Sequence, residues 1–377
     1  MAFLADEDYM QRCLYLARQS AGAVAPNPMV GSVIVKDGKI IGEGRHEAFG
    51  QAHAEVNAIR QVAHPELLLA ATLYVNLEPC SHYGKTPPCA DLIIKHRIPK
   101  VVIGMKDPHE KVAGMGIQKL RDAGIEVKVG VLEAACQQLN KAFIRFHQKQ
   151  RPHVFLKWAQ TQDGFLARKN KNSKWISSLL SRIYVHQLRN ATAAILVGRE
   201  TALTDDPGLD TRFWPGSHPL PVVLDQQLTL PSSLKVFQAL ETATWVVNEW
   251  AEGYISKDEI KKTKERSLKT LVKTQLKPIE KGDKKTSAGR IYFVKSARDL
   301  DELMRQCYTS DINQLMVEGG SRTLASFTEK GLWDEAFVFE NPKLQFGTGI
   351  EAPSLLHLPI DQEIRIGEDK LKIIKNH

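Results

Sequence analysis

The sequence predicts two consecutive α/β domains, and three observations support that prediction. At 377 residues the chain is longer than one ordinary domain. In each half, short apolar runs typical of strands alternate with segments of helical periodicity, a pattern that produces a sheet covered by helices. The halves do not repeat one another. A short polar segment, residues 149–152, ends in Pro152 and separates them. We therefore expect one domain over residues 1–148 and a different one over residues 152–377.

The first domain is predicted to begin with an amphipathic helix and a β-hairpin. Apolar side chains at helical spacing indicate a helix over residues 6–20. Strands at residues 29–35 and 39–42 flank Asp37-Gly38, a pair that favours a two-residue hairpin turn. The remaining predicted elements are helix 53–63, strand 72–77, a helix from 89 to about 96, strand 101–105, helix 116–123 and strand 127–131.

The second domain is predicted to be α/β as well. A strand at residues 153–159 follows the polar segment, and a helix is expected over residues 179–190. Later strand candidates are residues 193–197, 221–224, 244–247, 314–317 and 335–339, with helical segments between several of them. This half neither repeats the first nor contains a zinc motif, which indicates a different fold with a different activity.

Most of the net positive charge lies in one segment of the second domain. The formal net charge of the chain is +8. Residues 257–290, the Lys-rich segment, contain ten Lys and two Arg against two Asp and three Glu, a net of +7. A surface that binds single-stranded nucleic acid normally interleaves aromatic rings with its positive charge, and this segment has few of them. We therefore expect a solvated insertion or hairpin arm there, and no nucleic-acid partner.

Composition excludes membrane and secreted classes. Hydrophobic residues make up 43% of the sequence and charged residues 25%, as in globular proteins. The first residues lack the basic-then-apolar pattern of a signal peptide, and no apolar run reaches the roughly 18 residues of a membrane span. Five cysteines without disulfide-like spacing fit a reducing compartment. The sequence therefore predicts a cytoplasmic protein with no membrane partner.

The strongest chemical signal is a set of three soft metal ligands with a nearby carboxylate. His53, Cys80 and Cys89 can hold a catalytic zinc ion, which takes three protein ligands and lowers the pKa of a water in its fourth position. Glu55 lies two residues after the histidine and is better interpreted as a proton shuttle than as a ligand. The pattern matches the signature of zinc deaminases, except that eight residues rather than two separate the cysteines.

Two other interpretations of these residues stay open. A cysteine taken alone is commonly a small core residue. A structural zinc ion would need a fourth Cys or His, for which His46 and His82 are the nearest candidates. Glu55 favours catalysis, because a structural site has no use for a carboxylate beside its ligand. The helix N-termini expected near the histidine and both cysteines also favour thiolate.

Matches over nearly the whole chain indicate a family. In the first domain they are residues 26–31, 53–56, 77–82, 86–91, 107–108 and 112–114. In the second they are residues 156–157, 163–164, 175–176, 189, 194–196, 201, 205–207 and 317–320. The chain resembles the bifunctional deaminase-reductase family of riboflavin biosynthesis, in that family's order. Departures include His109 for a common Asn, Gln162 for Leu, and Ser177-Ser178 for a Thr-Gly step.

The resemblance implies a fold and two consecutive reactions. The fold is a cytidine-deaminase-like three-layer domain followed by a dihydrofolate-reductase-like α/β domain. The first domain would bind one Zn²⁺ and deaminate 2,5-diamino-6-ribosylamino-4(3H)-pyrimidinone 5′-phosphate. The second would use NADPH to reduce the ribosyl group, giving 5-amino-6-ribitylaminouracil 5′-phosphate. The resemblance also implies a homo-oligomer built through the reductase domain.

The resemblance also assigns residues to both sites. It makes Glu55 the general acid and base of the deaminase. Its substrate contacts are Asn27, His46, His82, Lys85 and Asp107 in the deaminase, and Ser173, Arg189, Leu209, Arg212 and Glu318 in the reductase. Its cofactor contacts are Gln160, Trp175, Thr201, Asp205, Gln226 and the turn formed by Gly320, Ser321, Arg322, Thr323 and Leu324. No G-x-G-x-x-G run is present, which argues against a Rossmann domain.

Three alternative functions remain. A nucleic-acid cytosine or adenosine deaminase with a C-terminal binding domain would use the shorter cysteine spacing and must accommodate an extruded base with its flanking nucleotides. A zinc-stabilised scaffold that binds a nucleotide or partner without catalysis is the second alternative, and Glu55 weighs against it. A member of the family with one inactive domain is the third, and Arg189, Asp205 and Glu318 weigh against loss of the reductase.

Overall fold

In the computed structural model the chain folds into two units, Met1–Gln150 and Arg151–His377. The structure describes residues 4–83, 87–109, 113–169, 176–262, 267–280, 283, 285–296, 299–355 and 358–376. Within those residues, no helix combines the length and the apolar character that crossing a membrane requires.

The described part of the first unit is a five-stranded sheet with helices on both faces. Its helices are α1 Asp6–Arg18, α2 Ala54–Gln61, α3 Cys89–Lys95, α4 Met115–Asp122, α5 Glu133–Leu139 and α6 Lys141–Lys149, with a 3₁₀ turn at Pro65–Ala70. Its strands are β1 Gly31–Lys36, β2 Lys39–Arg45, β3 Thr72–Leu77, β4 Lys100–Met105 and β5 Glu126–Val129. The bounds of α1 to α4 and of the five strands agree closely with the predicted elements, whereas α5 and α6 were not predicted.

The strand order of this sheet is β2-β1-β3-β4-β5. Strand β1 pairs antiparallel with β2 and β3, whereas β3, β4 and β5 run parallel. The predicted hairpin is confirmed, because Lys36 pairs with Lys39 and the two residues between them, Asp37 and Gly38, have φ of 51° and 74°. Positive φ at both positions is what the favoured two-residue hairpin turn requires.

Alternation along the strands divides the first unit into three layers. Successive strand residues point to opposite faces of a sheet. Val33 packs with the buried side of α1, which carries Met10 and Leu14, whereas the next residue, Ile34, packs with α2. The face of α2 also carries α3 and α4, and the face of α1 also carries α5. The predicted three-layer domain is confirmed.

The second unit is built on a longer sheet. Its helices are α7 Leu179–Asn190, α8 Arg199–Asp205, α9 Lys257–Lys262, α10 Leu268–Gln275, α11 Leu300–Thr309 and α12 Ser321–Glu329, with a 3₁₀ turn at Lys235–Phe237. Its strands are β6 His153–Thr161, β7 Phe165–Ala167, β8 Ala194–Gly198, β9 Leu220–Leu224, β10 Thr244–Asn248, β11 Gly253–Ser256, β12 Arg290–Lys295, β13 Gln314–Val317, β14 Glu335–Asn341, β15 Ile350–Glu351, β16 Gln362–Ile366 and β17 Asp369–Lys375.

The main sheet of this unit, over the described residues, has the order β11-β12-β10-β9-β8-β13-β6-β14-β17-β16. Its neighbours run parallel from β12 to β14, and β11, β17 and β16 add antiparallel strands at the two edges. Strands β7 and β15 form a separate antiparallel pair. Helices α11 and α12 cover one face, while α7, α8, α9 and α10 cover the other. The predicted α/β class is therefore confirmed for this unit too.

The Lys-rich segment is not the solvated arm that its composition predicted. It contains α9 and α10, and Leu268 and Leu271 of α10 are fully buried in the core of the second unit. Lys257 is also fully buried, and its ammonium group donates to two backbone carbonyls. The lysines at 261, 262, 269, 273 and 277 are exposed. The charge is solvated, but the backbone of the described part of the segment belongs to the fold, because its helices are amphipathic.

Candidate active sites

Three elements of the first unit bring the metal-binding residues together. His53 directly precedes α2, Cys80 follows β3, and Cys89 is the first residue of α3. The Nδ1 atom of His53 lies 3.6 Å from Sγ of Cys80 and 3.3 Å from Sγ of Cys89. One ligand atom from each residue lies within 4.8 Å of the other two. One nitrogen and two sulfurs in this arrangement fit a zinc ion that keeps a fourth position open.

Hydrogen bonds to Cys80 favour its thiolate form, which is the form that binds a metal ion. Cys80 lies in an irregular segment rather than at the start of the predicted turn or helix. Its sulfur nevertheless accepts a hydrogen bond from the backbone N–H of Cys89, at the N-terminus of α3. The Cys89 thiol also donates to it and lowers the pKa of Cys80 to about 4. The proton therefore stays on Cys89, whose pKa is raised, and Cys80 carries the negative charge.

Glu55 occupies the position expected of a proton shuttle. It lies in the first turn of α2 and is only 3% exposed. Burial, together with the charge of Cys80, raises the pKa of Glu55 to about 7. A carboxyl group that titrates near neutral pH can accept a proton and return it.

Glycines in β2 let α2 approach the sheet. A Cβ atom at Gly44 would collide with the carbonyl oxygen of Ala54, and one at Gly42 would collide with that of Ala58. Because α2 begins directly after His53 and carries Glu55, this close approach fixes both groups relative to the sheet.

Asn27 and His46, both predicted to contact substrate, form a pair. The Nδ2 atom of Asn27 lies 3.1 Å from Nε2 of His46, and Nδ1 of His46 lies 3.1 Å from the carbonyl oxygen of Ala52. A carbonyl only accepts, so Nδ1 carries the proton and Nε2 accepts from the Asn27 amide. The His46 ring is 5.7 Å from the ring of His53. Both of its nitrogens are engaged, and neither His46 nor His82 joins the metal-binding group, so a fourth structural ligand is not found among the described residues.

Asp107 lies within electrostatic range of His82. Asp107 follows β4, and its Oδ1 atom accepts the backbone N–H of His109 at 2.8 Å. Burial raises the pKa of Asp107, while the hydrogen bond from the His109 backbone acts in the opposite direction. Lys85, the remaining predicted substrate contact of this unit, lies outside the described residues.

The predicted reductase residues Glu318 and Arg189 meet in a buried ion pair. Glu318 follows β13, and Arg189 is near the end of α7. The Nε and Nη2 atoms of Arg189 each lie 2.9 Å from a carboxylate oxygen of Glu318. Burial would raise the pKa of Glu318, but Arg189 and Lys157 lower it to about 2. Lys157, whose Nζ atom is 3.6 Å from Glu318, was noticed in the sequence only as part of a family match.

Two further predicted substrate residues lie beside this pair. Leu209 has φ of 54°, and the carbonyl oxygen of the next residue, Asp210, accepts from Nη1 of Arg189 at 3.0 Å. The Asp210 carboxylate in turn accepts from Nη1 of Arg212 at 2.8 Å. Arg212 and Arg189 are therefore linked by hydrogen bonds to the same residue, Asp210. Ser173 lies outside the described residues.

The predicted cofactor turn is held against α8. The N–H of Gly320 donates to the Thr201 hydroxyl at 2.9 Å. A Cβ atom at Gly198 or Gly319 would collide with the side chain of Thr323. The backbone N–H groups of 321–323, at the start of α12, are thereby placed where an anion can approach them.

Other predicted cofactor contacts are more dispersed. Gln226 and Thr323 line a cavity of about 340 Å³, together with residues of α11 and α12. Asp205 is the last residue of α8, and Gln160 accepts a hydrogen bond from the indole N–H of Trp158. Leu324 is fully buried in the core, and its backbone N–H donates to Gly320, so its polar groups are already used within α12. Trp175 lies outside the described residues.

The fold and the two sites define a class: a zinc-dependent deaminase unit joined on one chain to a reductase unit. Residues 4–105 match the family described as the cytidine and deoxycytidylate deaminase zinc-binding region, and residues 152–356 match the RibD C-terminal domain. The chain belongs to the RibD family, the bifunctional deaminase-reductases of riboflavin biosynthesis. The expected cofactors, zinc and NADPH, are those of this family.

Several relatives cover almost the entire chain. The riboflavin biosynthesis protein RibD of Aquifex aeolicus is 39% identical over 97% of this chain and 95% of its own length. That of Escherichia coli is 36% identical over 94% and 91%. The solved structure of a diaminohydroxyphosphoribosylaminopyrimidine deaminase/5-amino-6-(5-phosphoribosylamino)uracil reductase from Thermotoga maritima is 35% identical and covers 99% of both chains, with a TM-score of 0.82. These matches confirm the predicted bifunctional enzyme and do not favour a nucleic-acid deaminase.

Proposed function

We propose that this chain deaminates 2,5-diamino-6-ribosylamino-4(3H)-pyrimidinone 5′-phosphate and then reduces the ribosyl group of the product with NADPH. The convergence of His53, Cys80 and Cys89 beside the buried Glu55 is the observation that carries the proposal. The name of the T. maritima protein, which specifies a deaminase and a reductase of phosphoribosylaminopyrimidines, supports the choice of substrates.

In the deaminase site, each side chain has a separate role. His53, Cys80 and Cys89 would hold a zinc ion, and the bound ion would supply the Lewis acid that makes water nucleophilic near neutral pH. Glu55 takes a proton from the attacking water molecule and delivers it to the departing amine. The pairs Asn27–His46 and His82–Asp107, together with Lys85, bind the substrate.

In the reductase site, buried charge orients the substrate. NADPH supplies the hydride. The bidentate Arg189–Glu318 pair provides a rigid polar surface beneath the sugar, and Arg212, half-exposed beside it, suits the 5′-phosphate. Ser173 and Leu209 complete the substrate contacts.

The cofactor would run along the carboxyl ends of the parallel strands. Thr201, Asp205 and the turn from Gly320 to Thr323 would lie along its phosphates, with backbone N–H groups of 321–323 as donors, while Leu324 anchors the turn in the core. Part of the dinucleotide would occupy the cavity lined by Gln226 and Thr323. Gln160 and Trp175 would lie nearer the nicotinamide.

We assign the enzyme to the cytoplasm as a homo-oligomer assembled through the reductase domain. Cys80 and Cys89 must stay reduced to hold zinc, and both are free thiols here, which suits a reducing compartment. Gel filtration with light scattering on the whole chain tests the assembly.

A single assay with a matched variant pair tests the proposed reactions. The zinc-loaded enzyme is given the diaminopyrimidinone substrate and NADPH, and ammonia release and NADPH loss are followed separately. Glu55→Gln is expected to lower ammonia release by about 10²- to 10⁴-fold and to abolish NADPH loss with it. It should still reduce the deaminated product when that is supplied.

Glu66→Gln, at an exposed carboxylate of the same unit, serves as the control and should behave like the wild type. Unchanged ammonia release in Glu55→Gln would show that another group moves the proton. Ammonia without NADPH loss in the wild type would contradict the reductase assignment.

A further inference from the structure

One buried carboxylate that has no assigned role joins two parts of the deaminase site. Glu78 directly follows β3 and is 5% exposed. Its Oε2 atom accepts the backbone N–H groups of Asp107 at 3.1 Å and Gly114 at 2.9 Å. Its Oε1 atom accepts those of Gly116 at 2.9 Å and Ile117 at 3.2 Å. One side chain thus satisfies four N–H groups of another segment.

The two segments joined in this way both belong to the site. Glu78 lies two residues before Cys80, on the same irregular segment beyond β3. The segment that it binds begins with Asp107 and continues into α4. Strands β3 and β4 are parallel neighbours, and the N–H of Glu78 also donates to the carbonyl of Met105 at 2.9 Å. Glu78 therefore connects the carboxyl ends of two adjacent strands through both its backbone and its side chain.

The backbone segments around Glu78 are closely packed. A Cβ atom at Gly116 would collide with the carbonyl oxygen of Pro79. The first turn of α4 therefore lies directly on the chain between Glu78 and Cys80. Asp107 is fixed at both ends, since its N–H binds Glu78 and its carboxylate accepts the N–H of His109.

We infer that Glu78 is a positioning residue of the deaminase, which sets substrate affinity by holding Asp107 in its binding orientation. This inference rests on the proposed role of Asp107 as a substrate contact. The chemistry requires a carboxylate, because its two oxygens can accept all four N–H groups. A glutamine of the same shape has one acceptor oxygen and turns an NH₂ group toward two N–H donors.

A double-mutant cycle on the whole zinc-loaded enzyme tests the inference. The variants are Glu78→Gln, Asp107→Asn and the double variant, with Glu126→Gln, an exposed carboxylate of β5, as the control. Glu78→Gln is expected to raise KM for deamination about tenfold and to leave kcat within about twofold, as expected when binding alone is weakened. The double variant should be no worse than Asp107→Asn, because Glu78 acts through Asp107.

Two internal readouts separate positioning from damage to the fold. Zinc content and the rate of reduction of supplied deaminated product should match the wild type. A fall in kcat at unchanged KM, a loss of zinc, or effects that multiply in the double variant would each overturn the inference. If Glu78→Gln does not fold, Gly116→Ala takes its place, because it displaces the first turn of α4 with the carboxylate intact. Gly116→Ala should then give the same rise in KM, and an unchanged KM would overturn the inference. Wild-type enzyme that releases no ammonia would instead overturn the proposed function.

Discussion

Glu318 and Arg189 are both almost completely buried, and the ion pair between them offsets the cost of taking each charge out of water. The low pKa of Glu318 is a statement about stability as well as about the site, because the carboxyl group titrates near 4.5 in an unfolded chain and at about 2 here. The folded state therefore favours the ionised form. That contribution, about 3 kcal/mol from the two pKa values, is fully present above pH 4.5 and is lost as the pH falls toward 2.

Glu318→Gln should therefore destabilise the second unit most at neutral pH. We expect a loss of about 3 kcal/mol in the free energy of unfolding at pH 7, with Arg189 left as a buried, unpaired cation. The difference from the wild type should shrink between pH 4.5 and pH 2. Denaturant unfolding monitored across that range checks it, with the exposed Glu363→Gln as the control. A difference that does not change with pH would show that the ion pair is not its source.

Among the individual residues, sequence motifs revealed the metal ligands but not their supports. His53, Glu55 and Cys80 belong to a motif whose spacing reflects the chemistry of zinc. Glu78 has no comparable signal, because its partners are backbone N–H groups 29 to 39 residues away, which any residue but proline provides. The role of Lys157 is equally difficult to predict from the sequence, because it depends on a partner, Glu318, that follows a different strand.

The elements that were predicted best are those buried on both faces. Strands such as β8, in which every residue is buried, appear in the sequence as short runs of aliphatic residues. Strand β12 was missed because it adjoins the Lys-rich segment, whose charge masked the pattern. The edge strand β16 and its neighbour β17 were missed because polar or charged residues occupy seven of their twelve positions, so that hydrophobicity alone does not mark them.

Helix α10 offers a direct test of how the Lys-rich segment is packed. Leu271→Ala should lower the free energy of unfolding by about 2–5 kcal/mol, because it leaves a cavity in the core. Lys273→Ala, two residues on and exposed, should change it by no more than about 0.5 kcal/mol. Denaturant unfolding of both variants measures this. Equal, small effects would restore the interpretation of the segment as a solvated arm.

At the scale of the whole molecule, each unit has its own sheet and its own apolar clusters. Removing zinc with a chelator should therefore abolish ammonia release while the deaminated product is still reduced at the wild-type rate. Restoring zinc should bring ammonia release back. Parallel assays of both activities before and after chelation check this. A loss of reduction on chelation would mean that the second unit depends on the metal of the first.

Cys80 follows β3, Asp107 follows β4 and Glu318 follows β13, so both units carry their chemistry on the loops beyond the carboxyl ends of parallel strands. The residues that drive folding lie in the strands themselves. Mutations at loop positions outside the buried Arg189–Glu318 pair can therefore retune what either site accepts without disturbing the sheet beneath. Natural selection can adjust the two activities of one gene at different rates, and an ancestor can acquire a new substrate before it loses the old one.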